Sequence, residues 1–186
     1  MTGEDRGGTR TVILETLLRM MQDVPYDDVT VSALCRHAGI SRGTFYLHYD
    51  NLDEALVELI DTTLSDGPLD SPYRCIDVSG GYVCPYGICD KVRLHPEYGA
   101  LLLNESLRGL VTERVTRRSR DAYVREIVRR YDIPPKDAET IFLFQLNGCL
   151  AINGRSFREG DRRMERNRDV VGAFIRYGLE GLSPRD

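Results

Sequence analysis

The sequence has no long hydrophobic run: no apolar stretch approaches the roughly 20 residues that a membrane-spanning helix needs. Its start, MTGEDRGGTR, contains no apolar segment, which argues against a signal peptide and predicts a short disordered arm. We therefore expect a cytoplasmic protein without membrane association. The sequence also lacks a glycine-rich phosphate loop, a nucleophile elbow and paired carboxylates beside an activated base. It therefore predicts no enzyme, no catalytic residue and no cofactor.

Cysteine is scarce and odd in number, with five in the chain. Without a secretion signal, this number predicts reduced thiols and no disulfide framework. One short segment holds side chains that suit zinc, namely Cys75, Cys84, Cys89 and His95. Their spacing lacks the tight C-x2-C pair of most zinc sites, and a thiol redox sensor is a second interpretation. The third, which we favour, is that these cysteines are small packing residues and that the chain binds no metal.

The chain also has no overall positive charge; its net charge is −4. Residues 1–65 carry five arginines against eleven acidic side chains. Residues 30–49 nevertheless contain two arginines and no acid. This locally basic surface within an acidic region predicts modest non-specific affinity for DNA with a shallow salt dependence.

The most informative stretch, TVSALCRHAGISRGTFYLHY, predicts two short helices joined by a tight turn. Thr30 and Ser41 stand at positions where a hydroxyl can cap each helix. Gly39 stands where the first helix must end in a left-handed conformation. Phe45 and Tyr49 are four residues apart and share the inward face of the second helix.

The outward face of the second helix carries donors suited to phosphates and base edges. Arg42, near its start, can donate two hydrogen bonds to a guanine, and Gly43 allows a close approach. Helix-turn-helix proteins place such a helix in the major groove, although similar hairpins also occur in ordinary cores. The residues predicted to contact DNA are Thr30, Ser32, Arg42, Gly43, Thr44, Tyr46, Leu47 and His48.

The segment from Tyr26 to Leu56, YDDVTVSALCRHAGISRGTFYLHYDNLDEAL, resembles the signature of the TetR family of transcription regulators. The matching pieces are Thr-Val, Ala-Gly-Ile-Ser at the turn, Gly-Thr-Phe-Tyr in the second helix, and His-Tyr at its end. The resemblance implies an all-α fold with an N-terminal three-helix head on a C-terminal helical ligand-binding and dimerisation body. It also implies a homodimer that binds a pseudo-palindromic operator in double-stranded DNA. Such a protein is usually a repressor that a small-molecule effector releases.

One position departs from the family pattern. The helix after the recognition helix usually carries a phosphate-binding lysine in its first turn, and this chain has Leu52 there, followed by Asp53 and Glu54. The alternative function is therefore a protein-binding co-regulator on the same fold that has lost DNA binding.

The remaining sequence predicts a helical body. We expect a helix-turn-helix domain over residues 10–52 and an effector-binding and dimerisation domain over residues 53–182. The predicted helices outside the helix-turn-helix span residues 11–24, 52–64, 86–94, 96–103, 106–131, 137–157 and 169–182, with a charged linker over 158–168.

Two of these helices have faces with consequences for function. The helix over 106–131 is rich in arginine, which predicts a solvated face paired with neighbouring acids; binding of an anionic effector or the DNA backbone is the alternative. The helix over 137–157 is apolar on more than one face, which predicts contact with a second subunit.

Overall fold

A computed structural model describes residues 3–65, 88–159 and 164–184. Over these ranges the chain forms nine α-helices and two short 3₁₀ turns, with no β-strand, which confirms the predicted all-α fold. The helices are α1 (Gly3–Asp23), α2 (Val31–Ala38), α3 (Arg42–Tyr46), α4 (Leu52–Ser65), α5 (Ile88–Leu94), α6 (Gly99–Leu102), α7 (Arg108–Tyr131), α8 (Pro135–Arg158) and α9 (Met164–Leu182). The 3₁₀ turns are Tyr26–Asp28 and Pro96–Tyr98.

The first helix begins earlier than its apolar stripe. The sequence predicted a disordered arm followed by a helix from residue 11, but α1 starts at Gly3, so the prediction of an arm was wrong. Ile13 and Leu17 anchor α1 in the core. Once the helical turns around these two residues have formed, each further residue adds a backbone hydrogen bond at little extra entropic cost. The helix therefore extends into the polar sequence before them.

Contacts divide the chain into two compact units, Met1–Thr63 and Leu64–Asp186. In the first unit, which we call the head, α1 packs on α2 and α2 packs on α3. Its buried core includes Ile13, Leu17, Leu34, Phe45 and Ile60. The head ends near the end of α4, whereas the predicted domain boundary lies at the start of that helix. The functions assigned to the two predicted domains remain predictions.

In the second unit, which we call the body, α7 packs along α8, and α9 contacts both. Phe142 and Leu146 on α8 are fully buried, and Tyr123 of α7 donates a buried hydrogen bond to Gln145 Oε1 at 2.9 Å. The arginines of α7 pair with acids as predicted: Arg117 with Glu113, Arg120 with Asp121 and Glu139, and Arg129 and Arg130 with Glu126.

The predicted charged linker is shorter than expected. The sequence predicted a linker over 158–168, but α8 continues to Arg158 and α9 already begins at Met164. Charged residues form helices as readily as linkers when a neighbouring apolar stripe anchors them, and Ile175 and Leu179 of α9 are buried.

Cys75 and Cys84 lie outside the described residues. The three interpretations of the cysteine segment therefore remain predictions. Across the described parts of the chain, none of the helices has the length and apolar character needed to cross a bilayer.

Candidate nucleic-acid interface

The helix α2 has the two end structures that its sequence predicts. At its start, Thr30 Oγ1 accepts a hydrogen bond from the backbone N–H of Ala33 at 3.2 Å. At its end, Gly39 adopts the left-handed conformation, with φ of 68°. A residue with a Cβ pays a steric cost in that conformation, so glycine allows the chain to turn directly into α3.

The start of α3 is held by a second hydroxyl. Ser41 Oγ accepts a hydrogen bond from the backbone N–H of Thr44 at 2.9 Å, and the two side-chain hydroxyls of Ser41 and Thr44 lie 2.8 Å apart. A side-chain cap satisfies one of the backbone donors that a helix leaves unpaired at its first turn. This cap matters more for α3 than for a long helix, because α3 has only 5 residues.

The two sides of α3 differ sharply in burial. Phe45 is fully buried, and so is Tyr49 three residues beyond the helix end, with the ring centroids 5.8 Å apart. On the other side, Tyr46 keeps 47% and Leu47 keeps 73% of their surface exposed. Exposed apolar side chains of this size on a small head are typical of a contact surface.

The structure places the predicted DNA-contacting residues at two locations. Six of them form the exposed side of α3 and the turn after it, which we call the α3 edge: Arg42, Gly43, Thr44, Tyr46, Leu47 and His48. Arg42, Gly43, Tyr46 and Leu47 are exposed, whereas Thr44 and His48 are half-buried. The other two, Thr30 and Ser32, are exposed at the start of α2. Their roles in DNA contact remain predictions.

The α3 edge has one cation at its start and acids just beyond its end. Arg42 is the first residue of α3, and α4 begins with Asp53 and Glu54 in its first turn. Both acids have structural partners. Asp53 Oδ1 accepts a hydrogen bond from the Tyr26 hydroxyl at 2.6 Å, and Glu54 Oε2 accepts one from the backbone N–H of Asp50 at 2.7 Å.

The partners of these acids hold the turn before α4 in place. Asn51 Oδ1 accepts a hydrogen bond from the backbone N–H of Glu54 at 2.9 Å and so caps the start of α4. Burial, together with the hydrogen bond to Asp53, raises the pKa of Tyr26, so this phenol stays neutral. These carboxylates are thus fixed parts of the head's framework.

The head contains a single cysteine, Cys35. Cys35 is buried in α2, and burial raises the pKa of its thiol, although the positive charge of Arg42 lowers it in part. A raised pKa keeps the sulfur protonated, and the thiolate is the reactive form of cysteine. We therefore assign Cys35 to packing.

One cluster of side chains near the α3 edge was not predicted from the sequence. Arg10 of α1 pairs with Glu58 of α4, and its guanidinium lies over the Tyr49 ring at 5.0 Å from the centroid. These three residues are far apart in sequence, and no motif links them. Only their helical phase, which places each near an inward face, could have indicated that they meet.

The head is similar in sequence to known regulatory proteins. The model of the family described as "Bacterial regulatory proteins, tetR family" matches residues 13–59. The HTH-type transcriptional regulator EthR of Mycobacterium tuberculosis H37Rv is 32% identical over 68 residues, which cover 37% of this chain and 30% of that protein. EthR of Mycolicibacterium smegmatis is 35% identical over 60 residues, covering 32% of this chain and 26% of that protein. The matched residues therefore span less than a third of the length of either curated relative.

Proposed function

Because residues 13–59 match the model of the TetR family of bacterial regulatory proteins, we propose that this chain is a cytoplasmic, homodimeric transcription regulator of that family and binds operator DNA. The observation that carries this proposal is the asymmetry of α3. Its aromatic side packs into the head, and a cap fixes its start, so that the α3 edge faces solvent. A rigid, exposed helix of this kind fits the major groove of DNA.

The residues of the α3 edge have complementary chemistry for this task. The Arg42 guanidinium supplies the paired donors that match the O6 and N7 acceptors of guanine. Tyr46 and Leu47 supply apolar surface for the C5-methyl group of thymine. Thr30 and Ser32, at the start of α2, supply hydroxyl donors for backbone phosphates, which position the protein without reading sequence.

Exposed apolar side chains on the body support the proposal that the chain pairs with a second copy of itself. On α9, Val170, Phe174 and Tyr177 are exposed and follow helical spacing along one face. On α8, Phe144 is exposed and stands one turn before Gly148. A Cβ added at Gly148 would meet no atom within 4 Å, so another helix has room to approach there. Pairing of α8 and α9 with their symmetry mates would bury these side chains in a four-helix contact.

The symmetry of a homodimer determines the symmetry of the operator that it binds. Two copies of the α3 edge, related by twofold symmetry, read two half-sites about 34–36 Å apart, so the operator is pseudo-palindromic. A small-molecule effector bound in the body would act by favouring a state in which the two heads are wrongly spaced. Under this mechanism the protein represses transcription until the effector binds.

The alternative is a co-regulator that binds a protein instead of DNA. Leu52 and the two acids after it favour this alternative, because they replace a phosphate contact with apolar and negative surface. The two functions are separated by one set of experiments. The purified chain is titrated against labelled duplexes from the region upstream of its own gene, and its mass in solution is measured by light scattering.

The regulator proposal predicts a dimer that shifts one of these duplexes with saturable affinity and survives competition by unrelated DNA. A monomer, or a dimer that binds every duplex equally weakly, contradicts it. Retention of a protein partner without any preferred duplex would favour the co-regulator.

A further inference from the structure

Side chains from three parts of the head meet behind the end of the α3 edge. Arg10 Nε donates a hydrogen bond to Glu58 Oε1 at 3.2 Å, and Arg10 Nη2 donates a second to Glu58 Oε2. The same guanidinium lies over the ring of Tyr49, 5.0 Å from its centroid. One cation on α1 is thus held by a carboxylate on α4 against an aromatic ring that follows α3.

Tyr49 is the residue through which this cluster reaches the α3 edge. It follows His48 directly, and the backbone N–H groups of His48 and Tyr49 both donate to the carbonyl oxygen of Phe45, at 2.9 and 3.1 Å. The Tyr49 side chain is 1% exposed. Because the buried ring belongs to the same short segment as these hydrogen bonds, a shift of the ring would displace the backbone that carries Leu47 and His48.

We propose that Arg10 and Glu58 are positioning residues for DNA recognition, which act by clamping Tyr49 and so set the angle of the α3 edge. This proposal rests on the proposed function, because it concerns how the same edge meets operator DNA. It assigns neither residue a contact with DNA.

We call Arg10, Glu58 and Tyr49 the clamp. The clamp needs the charges of both Arg10 and Glu58. Without Arg10, the Glu58 carboxylate loses the donor of both hydrogen bonds, and the Tyr49 ring loses the cation that lies over it. Without Glu58, the guanidinium loses the carboxylate that accepts both of its hydrogen bonds, and the contact with Tyr49 alone must hold the flexible arginine side chain over the ring. Either loss lets Tyr49 shift and misdirects several residues of the α3 edge at once.

The ion pair between Arg10 and Glu58 is expected to contribute little to folding. The side chains of Arg10 and Glu58 are 43% and 32% exposed. Ion pairs with this exposure stabilise the folded state only slightly. The consequence of losing the pair should therefore be seen in recognition more than in melting temperature.

The experiment compares four variants of the full chain with the wild type: Arg10→Gln, Glu58→Gln, the charge exchange Arg10→Glu with Glu58→Arg, and the control Arg19→Gln. Arg19 is exposed on the same helix and donates to Thr16, so the control removes the same charge without touching the clamp. Each protein is titrated against a duplex with the sequence that the wild type protects upstream of its own gene, and against a scrambled duplex. Melting temperatures are recorded in parallel.

We expect Arg10→Gln and Glu58→Gln each to lower the ratio of operator to scrambled affinity at least about fivefold, the loss that a single mismatched base pair gives. Melting temperatures should stay close to that of Arg19→Gln. The charge exchange should recover part of the ratio. Arg19→Gln should leave the ratio unchanged.

Glu58→Gln distinguishes positioning from direct contact. If Arg10 instead bound a phosphate, removing the negative charge of Glu58 would leave DNA affinity unchanged or increase it. In that case Arg10→Gln would weaken both duplexes equally and reduce the salt slope by about one. That result overturns the proposal, as would an unchanged ratio in all four variants. If the wild type protects no sequence at all, the proposed function fails, and the clamp fails with it.

Discussion

The hydroxyl oxygen of Ser41 accepts a hydrogen bond from the backbone N–H of Thr44 at 2.9 Å, which fixes the first turn of α3. We predict that Ser41→Ala lowers the free energy of unfolding by about 1 kcal/mol, because it leaves that N–H without its cap. Ser41→Asp keeps an acceptor at the same place and should retain stability. It should nevertheless weaken DNA binding, since it puts a negative charge beside Arg42.

Urea titration of the three proteins measures the first effect, and anisotropy with labelled operator measures the second. An Ser41→Ala variant that unfolds at the wild-type urea concentration would show that the cap does not hold α3.

A close contact in the body predicts opposite effects for two glycine substitutions. A Cβ built at Gly99 overlaps the ring of Phe157, whereas a Cβ at Gly109 meets no atom within 4 Å. Gly99→Ala should therefore destabilise the protein by about 1–3 kcal/mol through overpacking. Gly109→Ala, near the start of α7, should stabilise it by about 0.4–1 kcal/mol, because alanine has less freedom to lose on folding. Thermal unfolding of both variants tests the two signs, and a destabilised Gly109→Ala would contradict the packing described for α7.

The carboxylate of Glu126 gives the body a predicted sensitivity to acid. Arg129 donates to it at 2.6 and 3.0 Å, and Arg130 donates as well, although Glu126 is buried. These hydrogen bonds, Arg129 first, lower the pKa of Glu126 despite the opposing effect of burial. A folded-state pKa below the unfolded value, about 4.3, stabilises the protein above that pH. This stabilisation is lost as the pH falls through the folded-state pKa.

We therefore expect Glu126→Gln to lower the free energy of unfolding at neutral pH by about 1.5–3 kcal/mol, the range for hydrogen bonds to a charged group. The variant should also lose less stability than the wild type on acidification. Glu113→Gln is the matched control, because Glu113 pairs with Arg117 on the exposed side of the same helix. Its stability should change by less than about 0.5 kcal/mol. Equal effects of the two substitutions would contradict the assignment.

The exposed apolar face of α9 predicts which substitution separates the subunits. Phe174 is 64% exposed in the single chain. If the proposed dimer covers it, Phe174→Glu buries an unpaired charge at the contact and should convert the dimer to a monomer. Leu94→Glu, at a residue of α5 with 59% exposure, is the control and should leave the mass unchanged. Light scattering after size exclusion measures both, and a dimeric Phe174→Glu variant would place the subunit contact elsewhere.

Most of the head could be predicted from sequence because its signals are local. Thr30, Gly39 and Ser41 act on backbone groups within four residues of themselves. The four-residue spacing of Phe45 and Tyr49 likewise indicated that both rings are buried, although Tyr49 lies beyond the end of α3. Helical periodicity also located the long helices of the body to within a few residues.

What the sequence did not reveal depends on contacts between distant residues. The extension of α1 to Gly3 lies in a polar stretch without periodicity, so local propensity predicted no helix there. The clamp of Arg10, Glu58 and Tyr49 joins residues of three segments, and only the fold brings them together. The hydrogen bond between Tyr26 and Asp53 likewise joins residues that are distant in sequence, so the sequence did not indicate it.

The central claim, that the α3 edge reads operator DNA, is tested most directly by Arg42→Ala. Wild type, Arg42→Ala and the control Arg125→Ala, which removes an exposed arginine from α7, are titrated against the operator and against single-base-pair variants of it. We predict that Arg42→Ala loses about 1–3 kcal/mol of binding free energy on the operator and its preference at one base pair of each half-site, while the control binds like the wild type. An Arg42→Ala variant with wild-type affinity and wild-type preference at every position would contradict the claim.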